Sequence, residues 1–220
     1  MPCAPFDPAA ANKLLADSGW VKGPDGVRTK HGQRLEFEYS TAIFSANTQW
    51  RLDTEAILQQ NMRAIGIKLD IQNYSLEKFF PPSSSFLTVG KASPPTGAVA
   101  GRYDIAEFNE SYSYDPDDSW LEACDQIPSA ANNFNGGNFT FYCNHALDAL
   151  YQQELATVDA GARQAIFGQI HQVYLNDLPF IVLYSTTQIA MVRKGTHNYQ
   201  MNDITGETNI AEWWCDGGKC

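Results

Sequence analysis

One long helical pattern lies between two short alternating segments, and this order restricts the fold more than any other feature of the sequence. Residues 35–39 and 67–71 alternate apolar and polar side chains, as half-buried β-strands do. Between them, residues 48–65 have helical spacing and end at Gly66, a typical helix stop. A helix of this length joins parallel strands by a right-handed crossover. We therefore predict an α/β fold with a mixed, largely parallel sheet flanked by helices.

Further elements follow the same reasoning. Asp7-Pro8 predicts the start of a first helix, and a third strand is expected over residues 103–108. Two helices are expected over 147–155 and 159–176, and the nearly all-apolar residues 179–184 predict a buried strand, with another over 189–193. The apolar face of the 48–65 helix is predicted from five residues at helical spacing: Leu52, Ala56, Ile57, Met62 and Ile65.

In open parallel sheets, ligands bind beyond the carboxyl ends of the strands. The loop after the third strand, within YDIAEFNESYSYDPDDSW, places aromatic, amide and carboxylate groups there. Rings beside polar groups are typical of a binding site. The candidate ligand-binding residues, including two from the loop after the first strand, are Phe44, Ser45, Asn109, Glu110, Tyr112, Tyr114 and Trp120. Trp120 fits a packing role equally well.

Signals for catalysis are missing from the sequence. There is no G-x-S-x-G nucleophile motif and no phosphate-binding glycine loop. A hydrolase using Asp115, Asp117 and Asp118 is a further alternative, but acids beside a proline favour a helix cap, with Asp115 capping a helix that begins at Pro116. We predict a protein that is not an enzyme, with no catalytic residues, no cofactor and no metal site. The net charge of −10 argues against nucleic acid as a partner.

Five cysteines are present and none lies in a Cys-x-x-Cys pair. Cys215 and Cys220 bracket a flexible tetrapeptide, and Cys124 and Cys143 flank a Gly/Asn-rich loop, so two disulfides are candidates. Two bridges indicate an oxidising, extracytoplasmic compartment. The alternative is five reduced thiols in a cytosolic protein.

Several segments in a fixed order resemble a known family. They are FDPAAANKLLADSGW, GVRTKHGQRLEFEYST, ILQQNMRAIGIKLDIQNYSLEKFF, YDIAEFNESYSYDPDDSW, FYCNHALDALYQQ and DLPFIVLYST. Together they make the chain similar to the C-terminal lobe of a family 5 extracellular solute-binding protein. This family comprises the dipeptide, oligopeptide and nickel receptors of ABC importers.

The resemblance implies one lobe of a two-lobed, class II periplasmic-binding-protein-like fold that closes over a peptide or other small solute. Residues 1–186 would be the ligand-binding lobe, and residues 187–220 a return segment of the missing N-terminal lobe. The implied partners are that lobe, a peptide or small-molecule ligand and the permease subunits in the membrane. The implied location is the periplasm or the cell surface, where the parent protein would be free or lipid-anchored.

One departure from the family concerns ligand specificity. Peptide-binding relatives carry an aspartate where this chain has Tyr112, and only Glu110 offers a carboxylate nearby. A peptide ammonium would then lack its charge-assisted partner. A sugar or another polar solute would fit as well. The alternative function is a secreted carbohydrate-binding or adhesion domain that works alone.

Overall fold

A computed structural model describes residues 5–43, 48–81, 97–109, 115, 117–185, 189–202, 206–207 and 209–218. The chain divides into two compact units. The first unit contains residues 1–109 and 128–135, and the second contains residues 110–127 and 136–220. Each unit has its own helices and strands.

The first unit is built on a three-stranded parallel sheet in the order β5-β4-β6. Strand β4 spans Glu36–Ile43, β5 spans Lys68–Ser75 and β6 spans Ile105–Glu107. The helix that connects β4 to β5, α2, spans Thr48–Ile65. The predicted α/β fold with parallel strands and a helical crossover is therefore confirmed. The third strand is shorter than the predicted 103–108.

Smaller elements surround this sheet. Helix α1 spans Pro8–Asp17 and begins as predicted, because the Asp7 side chain accepts a hydrogen bond from the Ala10 amide. Strands β1 (Val21–Lys22), β2 (Arg28–Lys30) and β3 (Gln33–Arg34) form an antiparallel sheet, and a short helix α3 covers Leu76–Phe79. The buried Arg28 side chain donates to the carbonyls of Trp20 and Ile65. These hydrogen bonds connect the turn after α1 with the end of α2.

The predicted apolar face of α2 is partly wrong. Ile57 is 59% exposed, whereas Arg51 and Glu55 are each only 4% exposed. These two charged residues are buried because the strands beneath the first half of α2 offer polar partners. Thr41 of β4 accepts from Arg51, and Asn73 of β5 donates to Glu55.

The second unit is helical where it is best packed. Helix α4 spans Ser119–Glu122, α5 spans His145–Ala156 and α6 spans Ala160–Asp177. The two predicted helices are confirmed, and Asn144 and Asp159 cap them through side-chain oxygens. Its hydrophobic core lies between α5 and α6 and includes the buried side chains of Leu147, Tyr151 and Ile170.

The predicted buried strands over residues 179–184 and 189–193 are wrong. Both segments have irregular structure, and Ile181 is 72% exposed. An apolar run forms a buried strand only where a sheet pairs with it and another layer covers it, and the described part of the second unit provides neither. The remaining strands form two short antiparallel pairs, β7 (Thr196–His197) with β10 (Trp214–Cys215) and β8 (Met201–Asn202) with β9 (Gly206–Glu207). In the described residues, no helix combines the length and apolarity that a membrane span requires.

Candidate functional site

The carboxyl edge of the parallel sheet carries a polar cluster that is mostly buried. Thr41 near the end of β4 is in register with Glu107, the last residue of β6. Asn109 follows two residues later and is exposed. The backbone thus delivers an exposed amide to the edge of the sheet where α/β proteins bind ligands.

Arg51 lies at the centre of this cluster. Its Nη1 donates to Thr41 Oγ1 at 2.9 Å, and its Nη2 donates to Asn109 Oδ1 at 2.6 Å. The guanidinium carbon also lies 5.1 Å from the centre of the Trp50 ring, within the range of a cation–π contact. The buried cation is therefore held by several groups at once.

Two carboxylates lie in the same cluster. Glu107 accepts a hydrogen bond from Tyr39 Oη at 2.7 Å, and its backbone carbonyl accepts from Thr41 Oγ1 at 2.8 Å. Burial, followed by the negative charge of Glu107, raises the pKa of Glu55, while the Asn73 amide and Arg51 act in the opposite direction. In the described part of the chain, Glu55 Oε1 is buried with no hydrogen-bond partner.

In the second unit, acidic residues before α4 interact with charged side chains of α5 and α6. The Arg163 guanidinium forms ion pairs with Asp115 and with the fully buried Glu154. Burial, the adjacent charge of Asp117 and the charge of Glu154 raise the pKa of Asp118 to about 6, and His171 opposes this shift. The predicted helix cap by Asp115 is wrong, because α4 begins only at Ser119 and its N-cap residue is Asp118. The Asp115 side chain pairs with Arg163 instead.

A groove of about 410 Å³ lies between α4 and the start of α5. Its lining includes Ser119, Cys124, Asp125 and His145. The predicted Cys124–Cys143 disulfide is confirmed. The two sulfur atoms and a ring nitrogen of His145 lie within 4.8 Å of one another, but bridged sulfurs are not the thiolates that metal ions bind.

Comparison with known proteins decides the family. The sequence model described as "Bacterial extracellular solute-binding proteins, family 5 Middle" matches residues 2–128, more than half of the chain. The chain belongs to family 5 of the bacterial extracellular solute-binding proteins. This is a family of solute receptors rather than of enzymes.

Individual members of family 5 show the same relationship. The chain is 22% identical to the oligopeptide-binding protein AppA of Bacillus subtilis (95% of this chain, 35% of the relative). It is 24% identical to the di/tripeptide-binding protein 1 of Pseudomonas aeruginosa (90% of this chain, 32% of the relative). The crystal structure of the oligopeptide-binding protein of Thermus thermophilus with a pentapeptide matches with a TM-score of 0.65 and 25% identity, over 81% of this chain and 29% of that one. The chain therefore spans about a third of the length of the curated relatives it matches.

The seven candidate ligand-binding residues predicted from the sequence fall into two groups. Asn109 and Trp120 are described, Asn109 in the first unit and Trp120 in the second. The other five lie outside the described residues: Phe44, Ser45, Glu110, Tyr112 and Tyr114.

Trp120 has one packed side and one accessible side. A Cβ atom at Gly137 would lie 2.7 Å from Cε3 of the Trp120 ring, so the indole rests directly on the Gly137 backbone. The residue is nevertheless 44% exposed. The packing role that the sequence allowed is thus present, and part of the residue remains accessible.

Sequence reasoning did not find the residues that support the site. Arg51 and Glu55 are four positions apart on a helix, which is the usual spacing of an exposed ion pair. Arg163 and Glu154 lie on different helices. A signal existed only at the edge of the sheet, where Thr41 and Asn73 place polar side chains opposite α2.

The second predicted disulfide is described only in part. Cys215 forms a disulfide. Its predicted partner, Cys220, lies outside the described residues. The pairing of Cys215 with Cys220 stays a prediction.

Proposed function

We propose that the chain is part of the extracytoplasmic solute-binding component of an ABC importer. It would capture a peptide or another small polar solute in a cleft between two lobes and deliver it to the permease subunits in the membrane. The observation that carries this proposal is the exposed Asn109 amide, which is held at the carboxyl edge of the parallel sheet by the buried Arg51. The function rests on binding and lobe closure rather than on chemistry.

Residues 1–186 would form the ligand-binding lobe, and residues 187–220 would return to the missing N-terminal lobe. The exposed apolar side chains on either side of this boundary support the division. Ile181 and Val182 precede it, and Ile189 and Met191 follow it. Large apolar side chains that are exposed close together in the sequence are expected where another part of the protein covers them. The length of the relatives, about three times that of the chain, agrees with such a partner.

The proposed ligand contacts divide by chemistry. Asn109, Glu110 and Ser45 would form directional hydrogen bonds, whereas the rings of Phe44, Tyr112, Tyr114 and Trp120 would cover the apolar parts of the solute. The peptide class is supported by the names of the relatives, which include peptide-binding proteins of several specificities. The Cys124–Cys143 disulfide supports a location in the periplasm or at the cell surface, where the parent protein would be free or lipid-anchored.

Two measurements test the proposal. Native mass spectrometry of the complete gene product should detect a co-purified small solute, and calorimetry should show that this solute binds the complete protein. The 220-residue chain covers only one side of such a solute, so its affinity should be at least about 100-fold weaker. Equally tight binding by the isolated chain would contradict the two-lobed mechanism. The absence of any bound peptide or polar solute from the complete protein would contradict the function.

A further inference from the structure

The hydrogen bond between Arg51 and Asn109 fixes which way the amide faces. A guanidinium group has only donors, so the Asn109 atom 2.6 Å from Nη2 must be the amide oxygen. The NH₂ group occupies the other arm of the planar amide. It has no partner in the part of the chain that the structure describes, and the residue is exposed. Because its side-chain oxygen is engaged by Arg51, the Asn109 side chain presents its two N–H donors to a solute.

The donors and acceptors in the rest of the cluster agree with this orientation of the amide. Thr41 Oγ1 donates its hydrogen to the Glu107 carbonyl, so this oxygen is free to accept from Arg51 Nη1. The guanidinium is thus held by its hydrogen bond to Thr41 and by its contact with the Trp50 ring. A flip of the Asn109 amide would direct N–H groups toward the N–H groups of Arg51 and break its bond. The arrangement is stable in one orientation only.

We propose that Arg51 is a positioning residue that turns the Asn109 NH₂ outward, so that this site selects solutes that present a hydrogen-bond acceptor oxygen. The inference rests on the proposed solute-binding function and adds the chemistry of one contact. The acceptor would be either a carbonyl or a carboxylate oxygen. A bare ammonium group, which has only donors, would be rejected at this position.

The test uses the complete gene product with two probes, N-acetyl-dialanine and its neutral N-methylamide. The variant Asn109→Asp keeps the size of the side chain and its bond to Arg51, but it replaces the outward donor with an acceptor. Asn109→Ala removes the donor without adding charge. The control is Asn176→Asp on α6, where the oxygen likewise accepts a hydrogen bond, from Gln172 Nε2 at 3.0 Å.

We expect Asn109→Asp to weaken binding about tenfold or more, because a donor is lost and two acceptors then face each other. Asn109→Ala should weaken the same probe, and Asn176→Asp should leave both affinities unchanged. If the Asn109 variants bind both probes more weakly, the contact is to a carbonyl oxygen. If they bind only N-acetyl-dialanine more weakly, the contact is to its carboxylate. Unchanged affinity for both probes in both Asn109 variants would overturn the proposal.

A second measurement does not depend on a ligand. In Asn109→Asp, the new carboxyl group should have a pKa clearly below the ordinary value of about 3.9, because the Arg51 guanidinium stabilises its charged form. A pKa at or above this ordinary value in an NMR titration would overturn the role of Arg51. Failure of the wild-type protein to bind either probe would instead count against the peptide class in the proposed function, and the pKa comparison would then decide whether Arg51 holds the side chain.

Discussion

The carboxylate of Glu154 on α5 is completely buried and forms its ion pair with Arg163 on α6. The same guanidinium reaches Asp115, which precedes α4, and lies over the Phe167 ring. One side chain thus connects two helices with the segment that leads into α4. Among the described residues, Glu154 Oε2 has no hydrogen-bond partner, so Arg163 is the main partner of this buried carboxylate.

Replacement of Arg163 is expected to destabilise the second unit. Arg163→Met keeps a long apolar side chain at this position but leaves a buried carboxylate without its cation, which is costly. The urea midpoint should fall markedly. Lys13→Met, which removes an exposed ion pair with Asp17 on α1, is the control and should change stability by no more than about 0.5 kcal/mol. Similar midpoints for the two variants would show that Glu154 does not need Arg163.

Asp118 is expected to make stability depend on pH. Its pKa is raised from 3.8 to about 6 in the folded protein, first by burial and then by the charge of Asp117. The folded state therefore binds more protons than the unfolded state between these two values, so stability falls as pH rises from about 4 to about 6. Above that window the cost of the charge is fully present.

Asp118→Asn removes this cost. Urea unfolding at pH 7 should show a gain of about 1 to 2 kcal/mol, a range that allows for the partial exposure of the group. At pH 4 the variant and the wild-type protein should be closely similar. Asp17→Asn on the exposed face of α1 serves as the control and should not alter the difference between the two pH values. A gain that is equal at both pH values would contradict the raised pKa.

Gly97 is expected to tolerate no side chain. Its φ is +82°, and a Cβ atom there would lie 2.4 Å from the Phe79 carbonyl oxygen and 2.6 Å from that of Lys78. Gly26 has the same φ, but a Cβ atom at this position would meet nothing within 4 Å. Alanine at Gly26 should therefore cost about 1 to 2 kcal/mol of backbone strain. Alanine at Gly97 should cost roughly a further 2 kcal/mol or more, because backbone atoms must move. If both variants lost the same unfolding free energy, the close contact of Gly97 with the Lys78 and Phe79 backbone would be contradicted.

The Cys124–Cys143 disulfide is expected to stabilise the second unit. It joins residues 19 positions apart, and a loop of this length corresponds to roughly 3 kcal/mol of stabilisation in the chain-entropy description. The double variant Cys124→Ser/Cys143→Ser should lose about this amount of unfolding free energy. Peptide mapping without reductant checks the bridge itself. Recovery of free thiols at both positions would contradict it.

The parallel sheet of the first unit could be predicted because its evidence is local. The alternation of β4 and β5 and the helical spacing of α2 are each present in the sequence, and the crossover rule joins them. The start of α1 could be predicted for the same reason, since Asp7 and Pro8 are adjacent. The bounds of α2 agree with the prediction at both ends.

The support beneath the site could not be predicted in this way. Burial of Arg51 depends on the register that places Thr41 opposite Glu107, and that register is not visible in the helix sequence. The exposure of Ile181 could not be predicted either, because an apolar run gives no information on whether another layer covers it. Both failures concern contacts between segments far apart in the chain.

The near-complete burial of Arg51 affects the entropy cost of binding. A guanidinium that lost its water shell during folding holds the Asn109 amide rigid before any solute arrives, so little side-chain freedom remains to be lost at the encounter. Dissolved ions also screen such an enclosed charge poorly. Under the proposed function, the contribution of this contact to solute binding should therefore change little with salt concentration.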